Sequence, residues 1–348
     1  MLMKKYLFYI SQNYSFAILR PIQEVLLARG DDVRWFLEGN KVNPDYLNKN
    51  EIGFYKVDEI FEYRPDAVLA PANNIPSFLP GLKVAIFHGF DAGKLDNRGR
   101  NDHFKIRGGF DLYCTQGPTT TEPFMKLQKE MEFFNVIETG WPTLDPLFTN
   151  STNNNNGNKP VILLCSTFSK RLSCAQDIFD TVKLISRSDN WQWLVQFHPK
   201  MDKAVIDQYK SIQNGNLTYI ETDNIIPLLK KADVMVCDTS SVITMFLAQR
   251  KPVVTVNNIA PSLHLYNISD PDHLEQSISH VLKRPDDLMK HINHFIDQTH
   301  PYADGKSSQR VIAAIDDVLQ GKYPLPKKKP LNLLRNLKFR KRLNYWKL

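Results

Sequence analysis

Four short apolar runs of the sequence are each followed at once by side chains that can bind anions or move protons. His88 and Gly89 follow "VAIF", and His198, Pro199 and Lys200 follow "WLVQF". The runs "VILLC" and "VMVC" are followed by "STFSKR" and "DTSS". A neutral imidazole can take a proton from a hydroxyl, and hydroxyl groups and cations can bind phosphate oxygens. The residue types therefore predict proton transfer next to a phosphate group.

The segment "DTSS", residues 238–241, lies at the junction between an apolar run and the helical pattern "SVITMFLAQR". Free backbone N–H groups and the helix dipole favour an anion at such a junction. Capping accounts for one of the two serine hydroxyls, so the other is available to a phosphate. The segment is neither a glycine-rich P-loop nor a GxGxxG turn, and it does not resemble an ATPase or a nicotinamide enzyme.

Metal and disulfide chemistry have no support in the sequence. It contains no HExxH, no EF-hand loop and no Cys/His cluster, so we expect no essential protein-bound metal and no cofactor. Three of the four cysteines end apolar runs, which predicts buried packing residues in a reducing compartment. The pair Asp102-His103 is interpreted as part of a solvated loop.

The elements that must position these residues alternate between short apolar runs and amphipathic helical patterns. This alternation predicts parallel sheets covered by helices, here as two Rossmann-like α/β domains that face a cleft. An asparagine-rich linker, 150–160, separates an N-terminal domain, 1–149, from a C-terminal domain, 161–321. Because ligands bind beyond the carboxyl ends of parallel strands, all four polar strand ends are expected to open on the cleft.

The positive charge of the chain is concentrated at one end. The formal net charge is +7, but residues 322–348 hold ten Lys or Arg and no acid, so the remainder carries about −3. A nucleic-acid-binding body would be basic over its own surface, so no nucleic-acid partner is expected. No apolar run is long enough to span a membrane, and the N-terminal run is too short for a signal peptide, so we expect a cytoplasmic protein.

The motifs in their order resemble the CDP-glycerol glycerophosphotransferase family, which includes teichoic acid primases and polymerases. The segments that carry the resemblance are "FHG", "GWPTLD", "HPK", "ADVMVCDTSSVITMFLAQRKPV" and "ADGKSSQRV", from about His88 to Val311. The resemblance implies a GT-B architecture. It also implies transfer of glycerol phosphate from CDP-glycerol to a hydroxyl of a lipid-linked or surface-polysaccharide acceptor, with release of CMP.

The family's motifs also assign roles to individual residues. The resemblance implies that His88 is the general base and that His198 is a second catalytic histidine. It places the donor on Thr167, Lys170, Arg171, Pro199, Asp238, Thr239, Ser240 and Ser241, and also on Asp304, Lys306 and Ser307 or Ser308. By analogy with GT-B enzymes, the cytidine would lie on backbone groups near Ile225 and Ile226. Gly89, Lys94, Trp141 and Asp145 fall on the acceptor side.

Departures from the family pattern leave the donor open. Phe87 replaces the tryptophan before the His-Gly pair, Thr239 replaces a tyrosine, and Lys170 or Arg171 stands for an arginine. CDP-ribitol or another activated polyol is therefore an alternative donor. Two further alternatives are a GT-B glycosyltransferase that uses a nucleotide sugar and a non-catalytic nucleotide-binding protein. A nucleotide-sugar epimerase would need paired carboxylates, which the sequence does not supply.

The basic C-terminal segment mixes cations with leucines and aromatic residues at near-helical spacing. Such a helix would lie on an anionic membrane, and the alternatives are a solvated tail or a nucleic-acid tail. We expect residues 325–348 to bind the inner face of the cell membrane, where the family's lipid-linked acceptors are made. The length of the chain favours addition of a single unit or decoration of a surface polysaccharide.

Overall fold

The computed structural model describes residues 3–91, 99, 101–149, 159–222 and 224–347. Their contacts divide the chain into two compact units. Unit 1 is formed by Met1–Phe148 and Thr299–Leu348, and unit 2 by Thr149–Gln298. Each unit has its own parallel β-sheet with helices packed on it, which confirms the predicted α/β class.

Seven parallel strands form the sheet of unit 1, in the order β3-β2-β1-β4-β5-β6-β7. They are β1 (Lys5–Ile10), β2 (Asp32–Leu37), β3 (Gly53–Phe54), β4 (Ala67–Ala70), β5 (Leu82–Ile86), β6 (Leu112–Thr115) and β7 (Asn135–Glu138). The strand order reverses between β1 and β4, as in a doubly wound domain. Ligands bind such sheets at the carboxyl ends of the strands near this switch point.

Among the described residues, six α-helices belong wholly to unit 1. They are α1 (Ser15–Ala28), α2 (Val57–Tyr63), α3 (Pro118–Met131), α4 (Asp145–Phe148), α11 (Ser307–Leu319) and α12 (Leu333–Arg342). Helix α1 shows why the local sequence folds as it does. Its apolar side chains recur at helical spacing and are buried from Phe16 to Leu26. The helix is followed by Gly30 at φ +87°, a left-handed conformation that favours glycine.

Unit 2 repeats the same winding with six parallel strands in the order β10-β9-β8-β11-β12-β13. They are β8 (Val161–Ser166), β9 (Gln192–Phe197), β10 (Leu217–Tyr219), β11 (Val234–Cys237), β12 (Val253–Val256) and β13 (Tyr266–Ile268). Its helices are α5 (Phe179–Ile185), α6 (Lys203–Ser211), α7 (Ile226–Lys231), α8 (Val242–Leu247), α9 (Leu274–Leu282) and α10 (Asp286–Thr299), whose last residue belongs to unit 1. Its switch point lies between β8 and β11.

The predicted domain boundaries need one correction. Residues 299–321 were expected in the C-terminal domain, but they belong to unit 1, where α11 packs against α1 and strands β5 and β6. The buried face of α11 includes Val311 and Ile315. The helical pattern of this segment is visible in the sequence. Which sheet covers its apolar face depends on tertiary packing, which the local pattern does not show.

The C-terminal segment is not a free tail. Its helix α12 buries Phe339, and Tyr345 joins the core cluster of unit 1, where it stacks on Phe61 and Phe78. Lys329 pairs with Asp111 at 2.6 Å. The interpretation of a wholly solvated segment is therefore wrong. Among the helices of the described residues, none is both long and apolar enough to cross a bilayer.

All four cysteines are buried and unpaired, as the sequence predicts: Cys114, Cys165, Cys174 and Cys237. Burial raises the pKa of each thiol, so the reactive thiolate is disfavoured. These side chains therefore act as packing residues.

Candidate active site

The turn after β5 presents His88 to solvent. Two side chains from other parts of unit 1 hold the backbone of this turn on either side of His88. The indole Nε1–H of Trp141 donates to the Phe87 carbonyl at 2.7 Å, and the Gln116 amide donates to the Gly89 carbonyl at 3.0 Å. Trp141 and Gln116 are themselves buried, while the His88 side chain is exposed. The predicted base therefore has a fixed main chain and an accessible imidazole, which suits a proton-transfer role.

A second layer of contacts fixes Trp141. Its backbone N–H donates to His300 Nε2 at 2.9 Å, and its ring meets Phe90 edge to face at 5.2 Å. His300 is 1% exposed, and burial lowers its pKa to about 4, so the ring is neutral and can accept this hydrogen bond. Trp141 is only 5% exposed, which leaves almost no surface for an acceptor. We correct its expected acceptor contact to a positioning role.

Asp145 and the "DGKSS" segment meet inside unit 1, and the structure changes what both can do. The Asp145 carboxylate accepts from the backbone N–H groups of Ser307 and Ser308 at 2.8 and 2.7 Å, and from the Ser308 hydroxyl at 2.6 Å. All three residues are nearly inaccessible. The N–H groups at the start of α11 are therefore occupied by a protein carboxylate, and neither an acceptor on Asp145 nor a donor on Ser307 or Ser308 fits this packing.

Asp304 and Lys306 lie beside this cap, on the surface of unit 1. Asp304 pairs with Arg310 at 2.8 Å and accepts from the Lys306 backbone N–H at 3.0 Å. The hydrogen bond with Arg310 contributes most to lowering the pKa of the Asp304 carboxyl. The expected place of these two residues in the second, donor-binding domain is wrong, because the segment packs on unit 1.

Sequence reasoning missed Tyr14. This residue follows β1 at the switch point of unit 1, and its half-exposed ring lies 6.1 Å from the His88 ring, centroid to centroid. The signal was available, because the rule of polar residues after apolar runs also applies to "KYLFYISQNYS".

His103 was also misjudged. It lies in a short 3-10 helix, Asp102–Phe104, and its ring stacks on Phe87 at 5.1 Å instead of extending into solvent. Burial lowers the pKa of His103, with His88 a smaller contributor in the same direction. The interpretation as a solvated pair is therefore wrong for His103, which is part of the wall next to His88.

In unit 2, Asp238 ties together the two strand ends at the switch point. Its carboxylate accepts from the Ser166 hydroxyl at 2.5 Å, from the Thr167 N–H at 3.0 Å and from the Cys174 N–H at 3.2 Å. Asp238 is fully buried. The expected direct contact between Asp238 and a donor phosphate does not fit this burial, because every oxygen is turned to the protein. Its carboxylate instead fixes the loop after β8.

The three hydroxyl residues after Asp238 have different surroundings. The Thr239 hydroxyl accepts from the Ile259 N–H at 3.2 Å, and the Ser240 hydroxyl accepts weakly from the Val242 N–H at 3.5 Å. Ser241 is the N-cap residue of α8, makes no side-chain capping bond and is exposed. The free hydroxyl that the sequence predicts at this junction is therefore that of Ser241.

His198 is exposed just beyond β9, next to Pro199, also exposed. Its Nδ1 accepts from the Lys200 backbone N–H at 3.0 Å, which leaves the proton of the neutral ring on Nε2. Desolvation and the Lys200 charge lower the pKa of His198. The structure favours a neutral ring that donates from Nε2.

The loop after β8 adds cations at the same end of the unit 2 sheet. Lys170 and Arg171 are exposed, and Lys170 forms an exposed ion pair with Asp202 at 3.2 Å. Thr167 is half-buried at the start of the loop, where Asp238 holds its N–H. Phe168 is 45% exposed and its ring lies 4.6 Å from that of His198. Thr167, Lys170, Arg171 and His198 are thus brought together at one sheet end.

The remaining predicted residues lie elsewhere or outside the description. Ile226 begins α7, and its N–H already donates to the Asn224 side chain at 3.1 Å, while the Ile225 carbonyl accepts from the helix. Lys94 lies outside the described residues. Among the residues that are described, no group of three or more His, Cys, Asp or Glu side chains could hold a metal ion.

Comparison with known proteins adds a family match. The model of the CDP-Glycerol:Poly(glycerophosphate) glycerophosphotransferase family matches residues 89–317, about two thirds of the chain. The match includes the His198, Asp238 and α11 segments and begins one residue after His88. No curated protein matches the chain in sequence.

Solved structures share the fold at low sequence identity. The wall teichoic acid polymerase TagF is 16% identical, with a TM-score of 0.68 over 91% of this chain and 89% of that chain. A putative UDP-N-acetylglucosamine 2-epimerase from Listeria monocytogenes is 14% identical, with a TM-score of 0.66 over 94% and 100% of the two chains. The S. aureus protein MnaA, solved with UDP, is 15% identical, with a TM-score of 0.59 over 91% and 97%. These likenesses confirm the GT-B-like architecture.

Proposed function

Since the chain belongs to the CDP-glycerol:poly(glycerophosphate) glycerophosphotransferase family, we propose that His88 is the general base of its transfer reaction. Enzymes of this family move glycerol phosphate from CDP-glycerol. The proposal rests on one observation: the exposed His88 imidazole lies on a turn whose carbonyls on both sides are held by Trp141 and Gln116. We further propose that the acceptor is a lipid-linked or surface-polysaccharide hydroxyl.

In the proposed reaction, His88 takes the proton of the acceptor hydroxyl as its oxygen attacks the phosphorus that carries glycerol. A new P–O bond forms, and the bridging P–O bond to CMP breaks with its electron pair on the departing CMP. Negative charge grows on the leaving phosphate, so donors and cations near it lower the barrier. The step needs no oxidant and no other reactant.

Unit 2 is proposed to bind the donor. The His198 Nε2–H, the Ser241 hydroxyl and the Lys170 ammonium are exposed at the carboxyl end of its sheet, where an open α/β sheet binds ligands. Arg171, Thr167, Pro199, Thr239 and Ser240 complete the proposed set. Asp238 acts indirectly in this scheme, because it fixes the loop that carries Thr167 and Lys170.

The test of the base is a CMP-release assay with CDP-glycerol and a lipid-linked disaccharide. His88→Ala should lower kcat by about 10²- to 10⁴-fold, the range that general-base catalysis contributes. His294→Ala is the matched control, since His294 is exposed on α10, and it should leave kcat unchanged. Full activity of His88→Ala would refute the role of the base.

The same assay determines which donor the enzyme uses. Ser241→Ala should raise the donor KM about 10- to 150-fold and leave the acceptor KM unchanged, since one hydrogen bond to a charged group is worth about 1.5–3 kcal/mol. CDP-ribitol and UDP-sugars are the comparison donors. Turnover with a nucleotide sugar but not with any CDP-polyol would replace the proposal by a glycosyltransferase.

We also propose that residues 325–348 bind an anionic membrane and place the enzyme at the inner face of the cell membrane. Packing against unit 1 leaves one side of this segment in solvent. Leu331, Leu333, Leu334, Leu337 and Trp346 are all more than half exposed. Lys338 and Lys341 are exposed on the same helix, so leucines can enter the acyl boundary while ammonium groups meet lipid phosphates.

A further inference from the structure

Phe168 is an exposed aromatic residue in the loop that follows β8 of unit 2. The chain has 20 phenylalanines, all of which the structure describes, and Phe168 is the one whose side chain is exposed, at 45%. The others are buried or half-buried. Exposure of a single apolar side chain is common, so the contacts of this ring decide whether it has a role.

The Phe168 ring packs against His198, which lies in the next loop, after β9. The two ring centroids are 4.6 Å apart, and the ring planes are tilted by 39°. The Lys200 ammonium lies over the Phe168 ring, 5.7 Å from its centroid. Aromatic pairs attract at centroid distances of about 4.5–7 Å, and cations attract within about 6 Å of a ring, so both contacts are favourable.

Two different contacts therefore act on the His198 imidazole. The Lys200 backbone N–H donates to Nδ1 at 3.0 Å, so the proton of the neutral ring lies on Nε2. This hydrogen bond selects the tautomer, but a single contact leaves the plane of the ring free to tilt. The Phe168 ring supplies the second contact, and together the two contacts set the direction of the Nε2–H.

The loops that carry the two rings are themselves held in place. At the start of the first loop, the Thr167 N–H donates to the buried Asp238 carboxylate at 3.0 Å. Lys170 of this loop pairs with Asp202 of the second loop at 3.2 Å. The Lys170 side chain is 87% exposed, so this ion pair adds little to stability. The contact between the two rings is an apolar link between the loops.

We propose that Phe168 is a positioning residue of the donor site, which acts through His198 by holding its Nε2–H in the direction of a donor phosphate. The inference rests on the proposed function, in which this N–H meets the donor in unit 2. Phe168 itself makes no hydrogen bond with the ligand. Since a hydrogen bond weakens steeply with its angle, an imidazole that is free to tilt binds phosphate less well.

The experiment measures binding of CDP to the full chain by calorimetry at pH 8, where His198 is neutral. His198→Ala should raise the Kd about 10- to 150-fold, as expected for the loss of one hydrogen bond to a charged group. Phe168→Ala should raise it about 3- to 10-fold, because the hydrogen bond is misdirected but not removed. Phe168→Tyr keeps the ring and should bind CDP as the unsubstituted chain does.

A double-mutant cycle shows whether Phe168 acts through His198. Residues in contact have effects that do not add, so Phe168→Ala should weaken binding no further when it is combined with His198→Ala. An NMR titration gives a second reading. Phe168→Ala should raise the pKa of His198, because the imidazole loses part of the cover that lowers it. Leu184→Ala truncates an exposed side chain of unit 2 and should change neither reading.

The outcomes separate this inference from the proposed function. Thermal unfolding shows which variants are folded. Unchanged CDP binding in folded Phe168→Ala, or effects of Phe168→Ala and His198→Ala that add, would overturn the positioning role. If the unsubstituted chain does not bind CDP, the proposed donor site is wrong and the inference fails with it. Activity of His88→Ala bears only on the base, because binding of CDP needs no proton transfer.

Discussion

At the scale of single residues, burial separates histidines that look alike in the sequence. His88 and His198 both follow an apolar run, and both are exposed at the end of a strand. His300 lies in a polar segment, yet it is 1% exposed. A strand end can be predicted from local pattern, but the burial of a loop residue depends on packing by distant segments. The burial of His300 and of the His103 Nε2 atom could therefore not be predicted from local sequence.

His300 should make the stability of unit 1 sensitive to acid. Its folded-state pKa of about 4 lies below the ordinary value near 6.5, so the unfolded chain binds a proton that the folded chain does not. Its contribution is fully present above pH 6.5 and is lost as the pH falls toward 4, by up to about 1.4 kcal/mol per pH unit. Urea unfolding at pH 7 and pH 5 measures this loss.

The matched variant for this experiment is His300→Gln, whose side-chain oxygen can still accept from the Trp141 N–H. It should unfold at similar urea concentrations at the two pH values, apart from the drift that other groups cause. His264 in unit 2 also has its pKa lowered to about 4 by burial, so the unit 1 transition must be followed separately. Equal acid sensitivity of His300→Gln and the unsubstituted chain would contradict the assignment.

At the scale of elements, the start of α11 shows that residues of a family motif can have a structural role. "GWPTLD" and "DGKSS" both belong to the family pattern, and their order suggested ligand contacts. In the structure, Asp145 from the first motif caps the helix that the second motif begins. The resemblance places donor contacts at this helix start, but a carboxylate about 160 residues away in the chain already accepts from its N–H groups.

Asp145→Ala should therefore lower stability and leave substrate affinity alone. The change leaves two buried N–H groups and one hydroxyl without an acceptor, and a loss of about 3 kcal/mol is expected. Asp304→Ala removes an exposed ion pair and an exposed hydrogen bond from the Lys306 N–H next to the same helix, and it should cost less than about 1 kcal/mol. Urea unfolding gives the stabilities, and a raised acceptor KM in folded Asp145→Ala would restore a binding role.

At the scale of the whole molecule, the winding of both sheets was predictable, because near-continuous apolar runs alternate with helical patterns. The sequence could not predict which unit contains the last fifty residues. An apolar helix face can be read from the sequence pattern, but the pattern does not show which of the two sheets covers it. The same limit applies to the C-terminal segment, whose leucines suggested a helix but not that Phe339 and Tyr345 would enter the core of unit 1.

The membrane proposal must be tested without removing the segment, because deletion would expose the core cluster. Leu333→Glu combined with Leu334→Glu should lower co-sedimentation with phosphatidylglycerol vesicles about tenfold or more, since two exposed apolar side chains become acidic. Leu184→Glu with Leu263→Glu changes equally exposed leucines of unit 2 and is the control. Unchanged sedimentation of the first pair would refute the proposal.

Unit 1 is discontinuous in the chain, and this has a consequence for biosynthesis. The first 148 residues contain its seven strands, but α11 and the buried side chains of α12 are translated only after all of unit 2. Domains that are continuous in sequence can fold as they leave the ribosome. Here the N-terminal sheet must remain partly uncovered while 150 residues of another unit are made. Its longest-range contacts then form last, so chaperone demand during translation should fall on the N-terminal half of this protein.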